Sequence, residues 1–228
     1  MNSLEELKKI VEQLRAEDGC PWDRVQTHHS LRPCLREETA ELLAAIRIFE
    51  QTGNGGNMRE ELGDLLLQVV MHSVIAEEEN LFSLEDVIAD ISRKMIHRHP
   101  HVFGEEKDSV NIPDYKTWEQ LKQQEKQSQD WTTTPLKDIP EELPALTRAE
   151  KVFKKCRSIY QKEYFTEDAI LTIEEGTKQL RENSDKKTVE EAVVKILTGV
   201  TQISSEYRIQ TEQELSDEIE RIISEYEA

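Results

Sequence analysis

Five acidic residues fall in two short words, Glu37-Glu38-x-x-Glu41 and Glu61-x-x-Asp64, each inside a stretch with helical periodicity. Residues three or four apart share a helix face, so Glu38 projects with Glu41, and Glu61 with Asp64. Leu35, Leu42, Leu43 and Ile46 surround the first word, and Leu62, Leu65, Leu66, Val69 and Val70 the second. The turn-forming run Thr52-Gly53-Asn54-Gly55-Gly56-Asn57 between them predicts that the two helices fold back antiparallel. Four carboxylates then converge on the edge of an apolar core, where they lose hydration and repel one another. A hard divalent cation relieves both costs, and all-oxygen ligation selects Mg2+, with Mn2+ as a substitute, over zinc or copper. A solvated acidic face is the plainer alternative in a chain with 33% charged residues. The interleaved leucines argue against it.

A cation-bound phosphate ester also needs positive side chains on its remaining oxygens. Lys94 and Arg98 are four apart at the end of one predicted helix, and Trp118 and Lys122 repeat that spacing in the next. Basic residues at a helix C-terminus also complement the helix dipole. Beside a carboxylate-held metal they become cations for phosphate, with Trp118 a stacking surface for a base. The alternating His97, His99 and His101 around Pro100 read as a helix-ending turn rather than a zinc site. Trp22 after Pro21 fits either a lid or a packed loop anchor. No Glu-x-x-His, adjacent His-Asp pair, phosphate-binding Gly-x-x-x-x-Gly-Lys-Ser/Thr loop or Gly-x-Ser-x-Gly occurs. A di-iron bundle, a histidine-metal phosphohydrolase, a P-loop enzyme and a serine hydrolase are thereby disfavoured.

The elements that must carry these residues are helices, and the predicted fold class is all-α. Ser3-x-x-Glu6 has the form of a capping box before a stripe of Leu4, Leu7, Ile10, Val11 and Leu14. Gly19-Cys20-Pro21-Trp22-Asp23 breaks that helix, and the acidic helices follow at roughly 32–51 and 58–79. Ser83-x-x-Asp86 starts another, with Val87, Ile88, Ile91 and Met95 inward, and Pro113-Asp114 opens the helix of Trp118. A polar stretch with Pro135, Pro140 and Pro144 reads as a linker over about 127–144. Helical patterns resume at 146–160, 167–182, 189–207 and 212–226 and repeat the first half's order in shorter form. The expected organisation is a catalytic module at 1–126 and a related helical module at 145–228.

A formal net charge of -18 opposes binding to a nucleic acid polymer or an anionic membrane, but not to a small phosphorylated ligand. Cys20, Cys34 and Cys156 are odd in number and lack metal-type spacing, as in a reduced cytoplasmic chain. The acidic N-terminus does not resemble a signal peptide. The longest apolar stretch, Leu65 to Ala76, is interrupted by Gln68, His72 and Ser73 and is too short to span a bilayer.

Five words in order give the chain a family likeness: Gly19-Cys20-Pro21-Trp22-Asp23, Gln26-Thr27-His28, Glu37-Glu38-Thr39, Glu61-Leu62-Gly63-Asp64-Leu65-Leu66 and Arg98-His99-Pro100-His101-Val102-Phe103. They resemble the MazG family of the all-α nucleoside triphosphate pyrophosphohydrolases. The likeness runs from about residue 4 to 126 and resumes at Ile139-Pro140 through Leu143-Pro144-Ala145-Leu146. It implies Mg2+-dependent hydrolysis of a nucleoside triphosphate to the monophosphate and pyrophosphate in a homodimeric helical bundle. Glu38, Glu41, Glu61 and Asp64 match the family's metal ligands, and Glu37 the acid that holds or deprotonates the attacking water. Lys94 and Arg98 match positions that contact phosphate, and Trp118 and Lys122 positions near the nucleotide. Cys34 and Arg36 depart from the aromatic and apolar residues that relatives tend to carry there.

In the second module the acidic words become Glu174-Glu175-x-x-Lys178 and Ala192-x-x-Lys195, and the basic pair becomes Arg221 with Glu225. Two introduced ammonium groups are incompatible with a cation site, so this module is expected to be catalytically inert. The competing functions are a narrower pyrimidine hydrolase acting on dUTP or dCTP and a non-catalytic helical partner protein. All five acids are present in the first module, whereas three of the five positions lose theirs in the second, which favours an enzyme over a scaffold.

Overall fold

A computed structural model describes residues 3–103, 134–182 and 185–227. It divides the chain into two compact units, Met1–Glu119 and Gln120–Ala228. All regular structure among the described residues is helical, as the periodicity predicts. No described helix is long and apolar enough to cross a membrane. The predicted helix at Pro113 and the first part of the predicted linker, to residue 133, lie outside the described residues.

The first unit opens with α1, Leu4–Arg15, where the Ser3 side chain accepts a hydrogen bond from the Glu6 N–H at 3.2 Å. The Pro21 segment forms a single helical turn, α2, Pro21–Arg24, with proline at a first-turn position where a missing N–H costs nothing. Then come α3, Arg32–Thr52, and α4, Gly56–Glu78. Gly53 ends α3 in the left-handed conformation (φ +70°), and its N–H bonds to the Phe49 carbonyl at 2.8 Å. Only glycine enters that region without strain, which is how so short a turn reverses the chain. The unit closes with α5, Leu84–Arg98, and the short α6, Pro100–Phe103. α5 starts where Ser83-x-x-Asp86 predicts, and Ser83 and Asp86 form a capping box there, each bonding the other's backbone N–H.

α4 is the central helix, packed against α1, α3 and α5. Val11, Leu31, Val70, Met71, Val74, Ile75 and Leu84 form the buried cluster, with Leu4, Leu7, Cys34 and Leu67 against it. Several apolar residues expected to face inward do not. Ile10 on α1 and Ile88 and Ile91 on α5 are exposed, as are Leu35, Leu43 and Ile46 on α3 and Leu62, Leu66 and Val69 on α4. The α3–α4 pair carries apolar residues on both sides, and one subunit covers only one of them.

The second unit contains α7, Ala145–Tyr160, α8, Thr166–Glu182, α9, Lys186–Tyr207, and α10, Thr211–Tyr226. Here α9 is central, packed against α8 and α7, while α10 packs on α7. A long helix packed against its predecessor and against the unit's first helix is thus common to both units.

Candidate active site

α3 and α4 bring the two acidic words together across their interface. Glu38, Glu61 and Asp64 each present a carboxylate oxygen within 4.8 Å of the others, and all three are half-buried. Asp64 is three residues beyond Glu61 on α4, so both reach the face that α3 covers. Burial first, then the charges of Asp64, Glu41, Glu61 and Glu37, holds the Glu38 carboxyl above its ordinary value. Asn57, one turn before Glu61, donates to the Glu61 Oε1 at 2.7 Å and fixes that side chain. The arrangement is a concentrated, partly desolvated negative charge on two rigid helices.

Glu41 lies outside the trio, though its charge still acts on Glu38. The Glu41 side chain is exposed, whereas those of the trio are half-buried. Glu37 is also exposed, one residue round from Glu38. Lys94 is exposed and Arg98 half-buried, both in the closing turns of α5, one turn apart as predicted. Trp118 and Lys122 lie outside the described residues.

Two side chains that sequence reasoning passed over continue the same stripe of α4. Counting from Glu61 and Asp64, the next positions at helical spacing are Gln68 and His72. Gln68 is 8% exposed, and its Oε1 has no hydrogen-bond partner. The His72 Nδ1 lies 2.8 Å from the Nδ1 of His28, with the rings stacked at 1° and centroids 5.1 Å apart. One ring must donate and the other accept, so the pair cannot be doubly protonated. Burial, then the charge of His28, pushes the His72 pKa down. The signal was available: two polar residues in an otherwise apolar run, in phase with the acidic word.

A third unforeseen group is Arg15, nearly buried at the end of α1. It makes a two-pronged contact with Glu78, Nε to Oε1 at 2.9 Å and Nη2 to Oε2 at 2.6 Å. Its Nη1 donates to the carbonyls of Asp23 and Gln26, at 2.7 and 3.1 Å. The segment bearing the exposed Trp22 is therefore an anchored loop.

Comparison with known proteins agrees with this geometry. A model of the MazG nucleotide pyrophosphohydrolase domain matches residues 26–103, a span containing the trio, Gln68, His72, Lys94 and Arg98. The nucleoside triphosphate pyrophosphohydrolase/pyrophosphatase MazG of Thermotoga maritima is 38% identical over 222 residues, 97% of this chain and 83% of that protein. The nucleoside triphosphate pyrophosphohydrolase of Escherichia coli K12 is 41% identical over 160 residues, 70% of this chain and 59% of its own length. That of Mycolicibacterium smegmatis is 40% identical over 148 residues, 64% of this chain and 43% of its own. The chain spans less than two thirds of the latter two.

Proposed function

The chain belongs to the MazG family of nucleotide pyrophosphohydrolases, and from that premise we propose that its first unit hydrolyses nucleoside triphosphates to the monophosphate and pyrophosphate, with Mg2+ held between α3 and α4. The observation that carries this reading is the trio Glu38, Glu61 and Asp64, gathered within 4.8 Å although their charges repel. Three carboxylate donors at half-buried positions fit a hard divalent ion, which offsets the burial and the repulsion that together raise the Glu38 pKa. Glu41 is a further ligand in this reading. When bound, the metal neutralises phosphate oxygens and makes the attacking water a better nucleophile.

The chain's own residues supply the rest. The trio and Asn57 fix where the cation and the phosphates sit. We assign proton acceptance from the water to Glu37, beside Glu38. Lys94 and Arg98 take the charge of the departing pyrophosphate, and Trp118 and Lys122 hold the nucleoside end. The water oxygen bonds to the α-phosphorus, the bridging α–β P–O bond breaks, and pyrophosphate leaves with the electron pair.

The exposed leucines of α3 and α4, Leu43 at 61% and Leu62 at 50%, support a homodimer in which a second copy covers that face. The three free cysteines suit a reducing, cytoplasmic setting. The deciding experiment is an assay of canonical triphosphates, with dUTP and dCTP included, scored for pyrophosphate against orthophosphate with Mg2+ and with excess chelator. Pyrophosphate as first product, abolished by chelation, is expected. Full turnover in chelator refutes the reading.

A further inference from the structure

The polar stripe on α4 brackets the carboxylate trio, and the two sides of the bracket differ. On one side Asn57 stands four residues before Glu61 and donates to it directly. On the other, Gln68 stands four residues after Asp64, the same spacing, yet its amide oxygen is buried and unpartnered. The helices run antiparallel, Glu38 on α3 meeting Glu61 and Asp64 while His28, ahead of α3, meets His72, and Cys34 lies between Glu38 and His28 in sequence. Cys34 is half-buried and packs on the apolar cluster.

A buried acceptor without a donor is costly, and such groups are filled by a protein group, a water or a ligand. Gln68 Oε1 and the carboxylates are all acceptors, so whatever joins them must donate twice, as a water does. The geometry points to Gln68 as a positioning residue: a water donates one O–H to its amide oxygen and the other to the Asp64–Glu38 side of the trio. Asn57 and Gln68 then brace the ligand set from opposite ends of one helix face, one directly and one through solvent. Outer partners of this kind are worth about 10- to 100-fold in metal affinity or activity. The inference rests on the trio being the cation site.

The test compares Mn2+ affinity by titration calorimetry, and melting temperature without metal, in the full chain and its variants. Gln68→Met keeps the bulk and removes the acceptor. It should weaken Mn2+ binding by about tenfold while leaving the metal-free melting temperature equal or higher, since a buried amide and its water give way to an apolar side chain of similar bulk. Gln68→Asn, which withdraws the amide toward the helix, should lie between it and the parent and covers the case in which the methionine variant fails to fold. Wild-type Mn2+ affinity in both variants overturns the proposal, as does a lower metal-free melting temperature, which would make the amide an ordinary packing group. Glu38→Gln separates the two levels. If it binds Mn2+ like the parent, the cation-site reading itself fails. If it loses Mn2+ while Gln68→Met does not, only the role of Gln68 fails.

Discussion

The α3–α4 and α8–α9 pairs are built alike and filled differently. In the first, three half-buried carboxylates meet at the interface, while Gly63 is exposed on another face of α4, with nothing within 4 Å of where a Cβ would sit. In the second the chains come so close that a Cβ on Gly176 would lie 2.8 Å from Ile196 Cγ1 and 2.9 Å from the Ala192 carbonyl. A Cβ on Gly199 would lie 2.6 Å from Ile173 Cγ1 and 2.8 Å from the Ala169 carbonyl. Ala192 stands where the first pair has Glu61, and it is fully buried. Lys195 stands where the first has Asp64, and its Nζ lies 3.5 Å from Oε2 of Glu175, the counterpart of Glu38. The second pair thus carries its own cation, on a side chain at the edge of the interface. Where the first pair places half-buried acids, the second places the buried small residues Gly176, Ala192 and Gly199, which let its helices approach closely.

The sharpest way to break this comparison is to remove one acid from each pair. Glu61→Ala should reduce triphosphate hydrolysis by about two to three orders of magnitude, on the scale of losing a charge-stabilising group. Glu175→Ala should leave turnover unchanged in the same assay with Mg2+. The reverse result would move the catalytic site to the second unit.

Next in size is packing. Gly176→Ala or Gly199→Ala pushes a methyl into a backbone carbonyl and should destabilise the second unit by about 1–3 kcal/mol, read by calorimetry. Gly63→Ala meets nothing within its own subunit, so a comparable loss there would report a second copy of the chain against α4. Sedimentation of the parent and of Leu43→Glu tests the same face. A parent that sediments as a monomer would refute the dimer.

A smaller effect separates the units by pH. The lowered pKa of His72 means that the unfolded chain takes up its proton first, so stability is fully present above about 6.5 and falls as pH drops below that. His72→Gln should flatten this slope in the first unit's transition and leave the second unit's untouched. Smallest is the half-exposed Lys195–Glu175 pair, where Lys195→Gln should cost under about 1 kcal/mol and confer no response to Mg2+.

How much of this was legible depended on whether the signal was local. The trio could be read because three- and four-residue spacing fixes which side chains share a face, and the glycine turn fixes which helices meet. Glu41, on the same spacing, acts on Glu38 through its charge while its own side chain stays exposed. The exposed leucines could not be read, because a helix apolar on two sides does not say which side its own chain covers. Gln68 and His72 were in phase with the acidic word and went unused because they were weighed only as interruptions of a greasy run. The Arg15–Glu78 contact joins residues 63 apart in sequence, and neither has a local feature that names the other.

That guanidinium has a consequence for how the first unit breathes. Arg15 ties the end of α1, the carbonyls of Asp23 and Gln26, and Glu78 at the end of α4 into one knot. Freeing the Trp22 loop would leave Arg15 paired with Glu78 but strip its Nη1, at a nearly buried position, of both carbonyl acceptors, a cost beyond the loop's own few contacts. Residues 20–26 should therefore not fray independently, as a surface loop of this length ordinarily does. Their amides should exchange with solvent deuterium at the rate at which the α1–α4 junction opens, and that slow shared opening would set how often the Trp22 segment can rearrange.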